Sequence, residues 1–169
     1  MSESTGTMVI SELERRLQRL EDIEAIKNLK ARYAELCDQN YNPNELVKLF
    51  TDDAVWEGSP FGVFHGKAEI KRFFASASSQ IPWAFHLMIG PEIAVDSSGM
   101  AATGRWYLFE PCTMTDREGV SAEEPVIQMA KYEDAYRKEG GEWKFEHVRI
   151  KYEAITPLHQ GWVARRFRS

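Results

Sequence analysis

Apolar side chains fall at Leu13, Leu17, Leu20, Ile23, Ile26, Leu29, Tyr33 and Leu36, and every step between them is three or four residues. That spacing predicts one long amphipathic helix with a single buried stripe, on which Tyr33 faces the interior. Ser11 with Glu14 fits a capping box that would open this helix. Residues 1–10 are expected to be a flexible tail. Asn42-Pro43 is a cap and first position for a second helix, NELVKLF. AVWEG and VFH read as short strands around the loop SPFG, and Gly66 opens a third helix, KAEIKRFFASAS.

Beyond Ile81 the chain reads as strands. PWAFHLM and EIAVD come first, and Ser97-Ser98-Gly99 turns the chain into MAATGRWYLFE. VIQMAKYEDAYRK then turns at Glu139-Gly140-Gly141 into EWKFEHVRIKYEAI. Helices followed by long antiparallel strands predict an α+β domain over residues 11–155, with 156–169 as a C-terminal extension. In EWKFEHVRIKY, Trp143 and Phe145 share one face while Val148, Ile150 and Tyr152 share the other, so alternation breaks near Glu146-His147. Either a bulge sits there or both faces of the sheet are covered. A curved sheet with helices inside and a neighbouring subunit outside satisfies this pattern, so a homo-oligomer is expected.

Composition narrows the function. A net charge of −5 argues against nucleic acid, whose phosphates need a basic face. Arg165, Arg166 and Arg168 read as a solvated basic end. Cys37 and Cys112 form no disulfide framework and no CxxC pair. No window approaches the roughly 20 apolar residues of a membrane span, and no signal peptide is read, so a cytoplasmic protein is expected. His65, His86, His147 and His159 show no ligand spacing, which predicts no metal site. Glycine-rich phosphate loops and a GxSxG serine are absent from the sequence.

Three residues could carry chemistry. His86 alternates with Ala84 and Met88, opposite Trp83, Phe85 and Leu87. An imidazole in such surroundings is expected to have a depressed pKa and to be neutral at pH 7. It reads equally as a base or as a bonded core histidine. Tyr33 is either a core tyrosine or a phenol donating to a substrate oxygen in a cavity. Asp38 follows Tyr33 by five residues, about 140° around an ideal helix. It turns inward only if the helix ends or bends near Cys37, and is otherwise an exposed carboxylate.

DIEAIKNLKARYAELCD, FHLMIGPEIAVD, ATGRWYLFE, KYE, EWKFE and VRIKYE together resemble the SnoaL-like group of the nuclear-transport-factor-two superfamily, and within it the bile-acid 7α-dehydratases. The likeness spans roughly Leu20 to Glu153. It implies a cystatin-like cone, a long helix and curved sheet around an apolar pocket, in a homodimer or homotrimer. It also implies cofactor-independent acid/base chemistry on hydrophobic substrates, with the catalytic tyrosine on Tyr33, the helix-end aspartate on Asp38 and the strand histidine on His86. The dehydratases' acidic strand residue falls on Phe109. Glu110, the next residue, points to the opposite face of a regular strand unless a bulge before Pro111 rotates it inward. A second tyrosine of the dehydratases has no counterpart in AVWEGSP.

On this likeness the chain is expected to be a lyase of dehydratase type acting on a polycyclic or aromatic hydroxy/oxo compound. The substrate-binding candidates are Trp56, Phe61, Phe64, Trp83, Trp106, Phe109, Glu110 and Met129. The same groups suit carbon–carbon cleavage or isomerisation of lignin- or polyketide-derived aromatics. A non-catalytic binding or assembly subunit, like the β-subunit of a ring dioxygenase, is the alternative from another class.

Overall fold

The computed structural model describes residues 2–115 and 122–168. Its first element, α1 (Ser2–Asp38), begins well before the capping box at Ser11. The apolar residues along it do not form one buried stripe. Ile26, Tyr33, Leu36 and Cys37 are buried, but Leu13, Leu17 and Leu20 are each more than half exposed. The steps explain the split. From Leu17 to Leu29 the sequence takes four steps of three in succession, and each falls about 60° short of a full turn. The stripe therefore swings around the helix, and its first half faces away from the core.

α2 (Pro43–Leu46) is capped by the Asn42 side chain, which accepts hydrogen bonds from the backbone N–H groups of Asn44 and Glu45. It is shorter than NELVKLF: a 3₁₀ turn, Val47–Leu49, follows, and fully buried Phe50 is drawn into the first strand. The remaining elements are β1 (Phe50–Gly58), β2 (Gly62–His65), α3 (Gly66–Gln80), β3 (Trp83–Ala84), β4 (Leu87–Val95), β5 (Ala101–Met114), β6 (Glu124–Glu139), β7 (Glu142–Pro157) and α4 (Gly161–Ala164). The strands run β2-β1-β7-β6-β5-β3, with β4 also paired to β5. Only β1–β7 is parallel among the described pairs. The result is an α+β fold in which the N-terminal helices lie against a strongly curled, half-barrel mixed sheet.

Irregularities in the ladder shape the curve. On β7 the register shifts opposite Ala135/Tyr136, where Glu146 is the extra residue, and again opposite Met129/Ala130, where Glu153 is extra. The first is the broken alternation of EWKFEHVRIKY: a bulge re-aims the strand, adding twist. Gly90-Pro91 bulges β4 instead of turning it, so MIGPEIAV is one strand, with Gly90 in the left-handed region at φ 62.

The core fills the concave side, where α1 and α3 meet β1, β5, β6 and β7. Lys30, fully buried, pins α1 to the sheet. Its Nζ donates to Asp134 Oδ2 at 2.8 Å and lies 3.3 Å from the Tyr132 ring centroid. The C-terminal residues turn back onto β7: Ile155 donates to the Arg166 carbonyl and the Arg168 N–H to the Ile155 carbonyl. Arg168 also bonds the Glu124 carboxylate and the Thr115 carbonyl. The basic end is therefore docked at Arg168 rather than solvated, because three acceptors converge on that residue.

Candidate active site

α1 stops at Asp38, and the chain leaves it through Asn40 and Tyr41 in left-handed backbone conformations, φ 69 and 54. A tyrosine there is conformationally costly. The turn swings its ring under the sheet, stacked against Phe74 and edge-on to the His86 imidazole at 6.1 Å. Asp38 is the last helical residue and keeps its 140° spacing from Tyr33, so its carboxylate meets His86 on the flank where α1 packs against β4, and not on the flank that Tyr33 presents to the core.

On that strand the ladder is interrupted between β3 and β4, so the His86 backbone N–H has no strand partner. Asp38 Oδ1 accepts it at 3.0 Å and meets His86 Nδ1 at 2.7 Å. One carboxylate oxygen thus fixes both the backbone and the ring. An ionised carboxylate only accepts, so Nδ1 carries the proton and Nε2 keeps its lone pair in the neutral ring.

His86 Nε2 faces Glu110 Oε2 at 3.5 Å, and Glu110 Oε1 accepts from Gln128 Nε2 at 3.0 Å. Glu110 needs no bulge to arrive there. β5 pairs with β6 in continuous register, its even-numbered residues face inward, and Glu110 is one of them. Phe109 is outward for the same reason, so the acidic group of this site stands one residue past the position the dehydratase likeness marked.

The electrostatics correct the sequence expectation for His86. Burial alone would depress the imidazole, but Glu110 and Asp38 together outweigh it, and its pKa is raised from the ordinary 6.5. Burial also raises Glu110, with Asp38 adding to the shift and His86 opposing it. Burial holds the Tyr33, Tyr41, Tyr132 and Tyr152 phenols well above 10, so they stay protonated donors.

His86, Glu110 and the four tyrosines line a narrow chamber of about 30 Å³ between α3 and the sheet, room for little more than a water molecule. Beside it opens a mouth of about 730 Å³, lined by Phe64, Met114, Ile155 and Arg168 among others. The larger hollow holds neither His86 nor Glu110. The two spaces share Phe61, Phe73 and Gln80 as walls.

The predicted residues divide accordingly. Tyr33, His86, Trp56, Phe61 and Glu110 line the chamber, and the Trp56 indole donates to the Tyr33 hydroxyl at 3.1 Å. Asp38 stands behind His86, beyond the chamber lining. Phe64 lines the mouth, stacked on Phe73. Trp83 is more than half exposed, and Phe109 and Met129, paired across β5 and β6, lie on the outer face. All three oppose inward residues in the strand alternation. Trp106 points inward but donates to Tyr136 and does not line the chamber. Gln128, Tyr132, Tyr41 and Phe73 complete the site without having been singled out. Alternation in VIQMAKYEDAYRK could have found Gln128 and Tyr132, since they share a face with Val126 and Ala130.

Comparison with solved structures gives the same architecture. The hexachlorocyclohexane dehydrochlorinase LinA-type3 from Novosphingobium barchaimii LL02 is 20% identical at a TM-score of 0.73, over 85% of this chain and 94% of that one. A protein provisionally named a scytalone dehydratase, from Novosphingobium aromaticivorans, is 21% identical at 0.73, over 84% and 91%. An NTF2-like protein with a cystatin-like fold from the same organism is 20% identical at 0.61, over 90% and 92%. These likenesses establish the fold. The SnoaL-like domain model matches residues 18–149, and with that match over most of its length the chain belongs to the SnoaL-like family.

Proposed function

We propose that this chain is a cofactor-independent lyase that eliminates water from a hydrophobic aromatic or polycyclic hydroxy/oxo compound. One observation carries the reading: His86 and Glu110 face each other in the wall of an apolar chamber with protonated phenols beside them, and Asp38 holds the far nitrogen of His86 from behind. Asp38 holds the Nδ1 proton. His86 Nε2 takes a proton from the carbon next to a substrate oxygen, and Tyr33 donates a hydrogen bond to the charge that develops on that oxygen. Glu110 protonates the departing hydroxyl, which leaves as water. The step ends with an imidazolium facing a carboxylate, and the proton passes from His86 to Glu110 to restore both. The LinA and dehydratase names of the structural neighbours belong to the same class of elimination.

Entry of a substrate-sized molecule requires Phe61 and Phe73 to part, joining chamber and mouth. The small volume favours one other reading, a non-catalytic assembly subunit in which His86 is a satisfied core residue. Turnover decides between them. Hydrophobic hydroxy-ketones and aromatic diols should first be screened for thermal stabilisation of the wild type, since native-state ligands raise apparent stability. On a hit that turns over, His86→Ala should lose about 10²–10⁴-fold in kcat with its unfolding transition preserved. Full activity in His86→Ala would remove the mechanism. Assembly as a homodimer or homotrimer through the outer face of β4 and β5 belongs to the same proposal.

A further inference from the structure

Gln128 sits on β6 directly across from Glu110, facing inward between Val126 and Ala130. Its side chain is almost wholly buried and lines the chamber. The two ends of its carboxamide have unequal partners. Nε2 donates to Glu110 Oε1 at 3.0 Å and to Cys112 Sγ at 3.4 Å. Oε1 has no hydrogen-bond partner among the described residues and is sealed from solvent.

The orientation is set by chemistry. A glutamate that becomes ionised during each cycle needs a donor, so the amide nitrogen belongs beside Glu110 and the oxygen is turned away from it. A buried acceptor left without a donor is costly. Among the described residues no group supplies one, the hydroxyls of Tyr41, Tyr132 and Tyr152 included. A bound molecule can supply it.

We propose that Gln128 is the specificity-determining residue of the chamber, its Oε1 accepting a hydrogen bond from a hydroxyl of the bound molecule while its Nε2 positions Glu110. The class of ligand follows: a hydrophobic ring system carrying a free hydroxyl, in preference to the same ring system with that oxygen alkylated. A site built to bond a hydroxyl discriminates against an analogue lacking its proton, because the buried acceptor then stays unpaired. This rests on the chamber being the substrate site proposed above.

Calorimetric titration of the full chain with 2-naphthol and with 2-methoxynaphthalene tests it. The wild type should bind the naphthol about tenfold tighter, the worth of one good hydrogen bond. Gln128→Met, close in volume and without polar atoms, should bring the two affinities within about twofold while the ether binds as before. Should that variant fail to fold, Gln128→Asn, which retracts the amide by one methylene, should narrow the preference. The positioning role has its own readout in the His86 ring titration, followed by NMR. Loss of the Nε2 donor leaves Glu110 less ionised, so the His86 midpoint should fall in Gln128→Met, which a purely structural role would not produce. A wild type indifferent to the methyl group, or a preference that survives in Gln128→Met, overturns the proposal while leaving the chamber reading intact. Binding of neither compound overturns both.

Discussion

At the scale of single residues, the site depends on the company His86 keeps. Placed among apolar side chains alone, its ring would be a weak base that stays neutral. Between Asp38 and Glu110 it is a stronger one, and its proton has a second seat 3.5 Å away. This arrangement has a signature in stability. Both groups hold protons more tightly folded than unfolded, so the native state binds more protons and stability must decline as pH rises. The decline should begin above the ordinary glutamate value of 4.5, continue through the ordinary histidine value of 6.5, and end beyond the folded midpoints. Urea unfolding across that range should show it, and Glu110→Gln should flatten it by removing one group and relieving the other. A wild-type curve that rises with pH through this window would contradict the assignment. Sequence exposed the three polar residues as candidates but misjudged the direction of the His86 shift, because the carboxylates lie 48 and 24 positions away along the chain. Local hydrophobicity was visible; long-range charge was not.

At the scale of elements, α1 does two jobs in its last three turns, anchoring itself at Lys30 and gripping His86 at Asp38. Its C-terminal half is anchored through the buried Lys30–Asp134 pair, and Tyr136 also donates to Asp134 at 2.9 Å. Removing one member of such a pair strands a charge in the core. Lys30→Met should therefore cost about 3–5 kcal/mol of unfolding free energy, and the double variant Lys30→Met with Asp134→Leu should recover much of it. Equal losses in the single and double variants would mean that the pair contributes by packing alone. A lysine at this point of the sequence gives no sign of burial, since its angular place among Ile26, Tyr33 and Cys37 emerges only once the true core face is known. Spacing by threes and fours predicted the helix correctly and its facing only in part. The runs of threes between Leu17 and Leu29 held the information, because direction of drift, and not step size alone, decides which residues end up together.

At the scale of the whole molecule, the outer surface of the curled sheet carries Phe85, Leu87, Ile89, Tyr107 and Phe109, all exposed. Leu87, Phe109 and Met129 align across β4, β5 and β6. A patch of this kind marks a place where another molecule packs, and a second copy of the chain is the proposed occupant. Sedimentation velocity should give a dimer or trimer for the wild type, and Phe109→Glu with Tyr107→Glu should yield a folded monomer. A monomeric wild type at micromolar concentration would refute the assembly. The architecture itself was legible: element order, turn positions at Gly99 and Gly140-Gly141, and the double-faced apolar strands led to the right class. Burial of Glu110 and the location of Trp83 and Met129 escaped, since parity along a strand is meaningless until one residue's side is known.

The single oxygen that grips His86 at two points also has a geometric corollary. The His86 ring is indexed to the helix rather than to the sheet on which it rides, and the helix is indexed to the sheet by Lys30. An insertion or deletion of one residue anywhere between Lys30 and Asp38 would swing the gripping carboxylate by about 100° while leaving every strand in place. The count of peptide units along that final stretch thus works as a gauge block, setting the distance between the helix's anchor on the sheet and its grip on the ring.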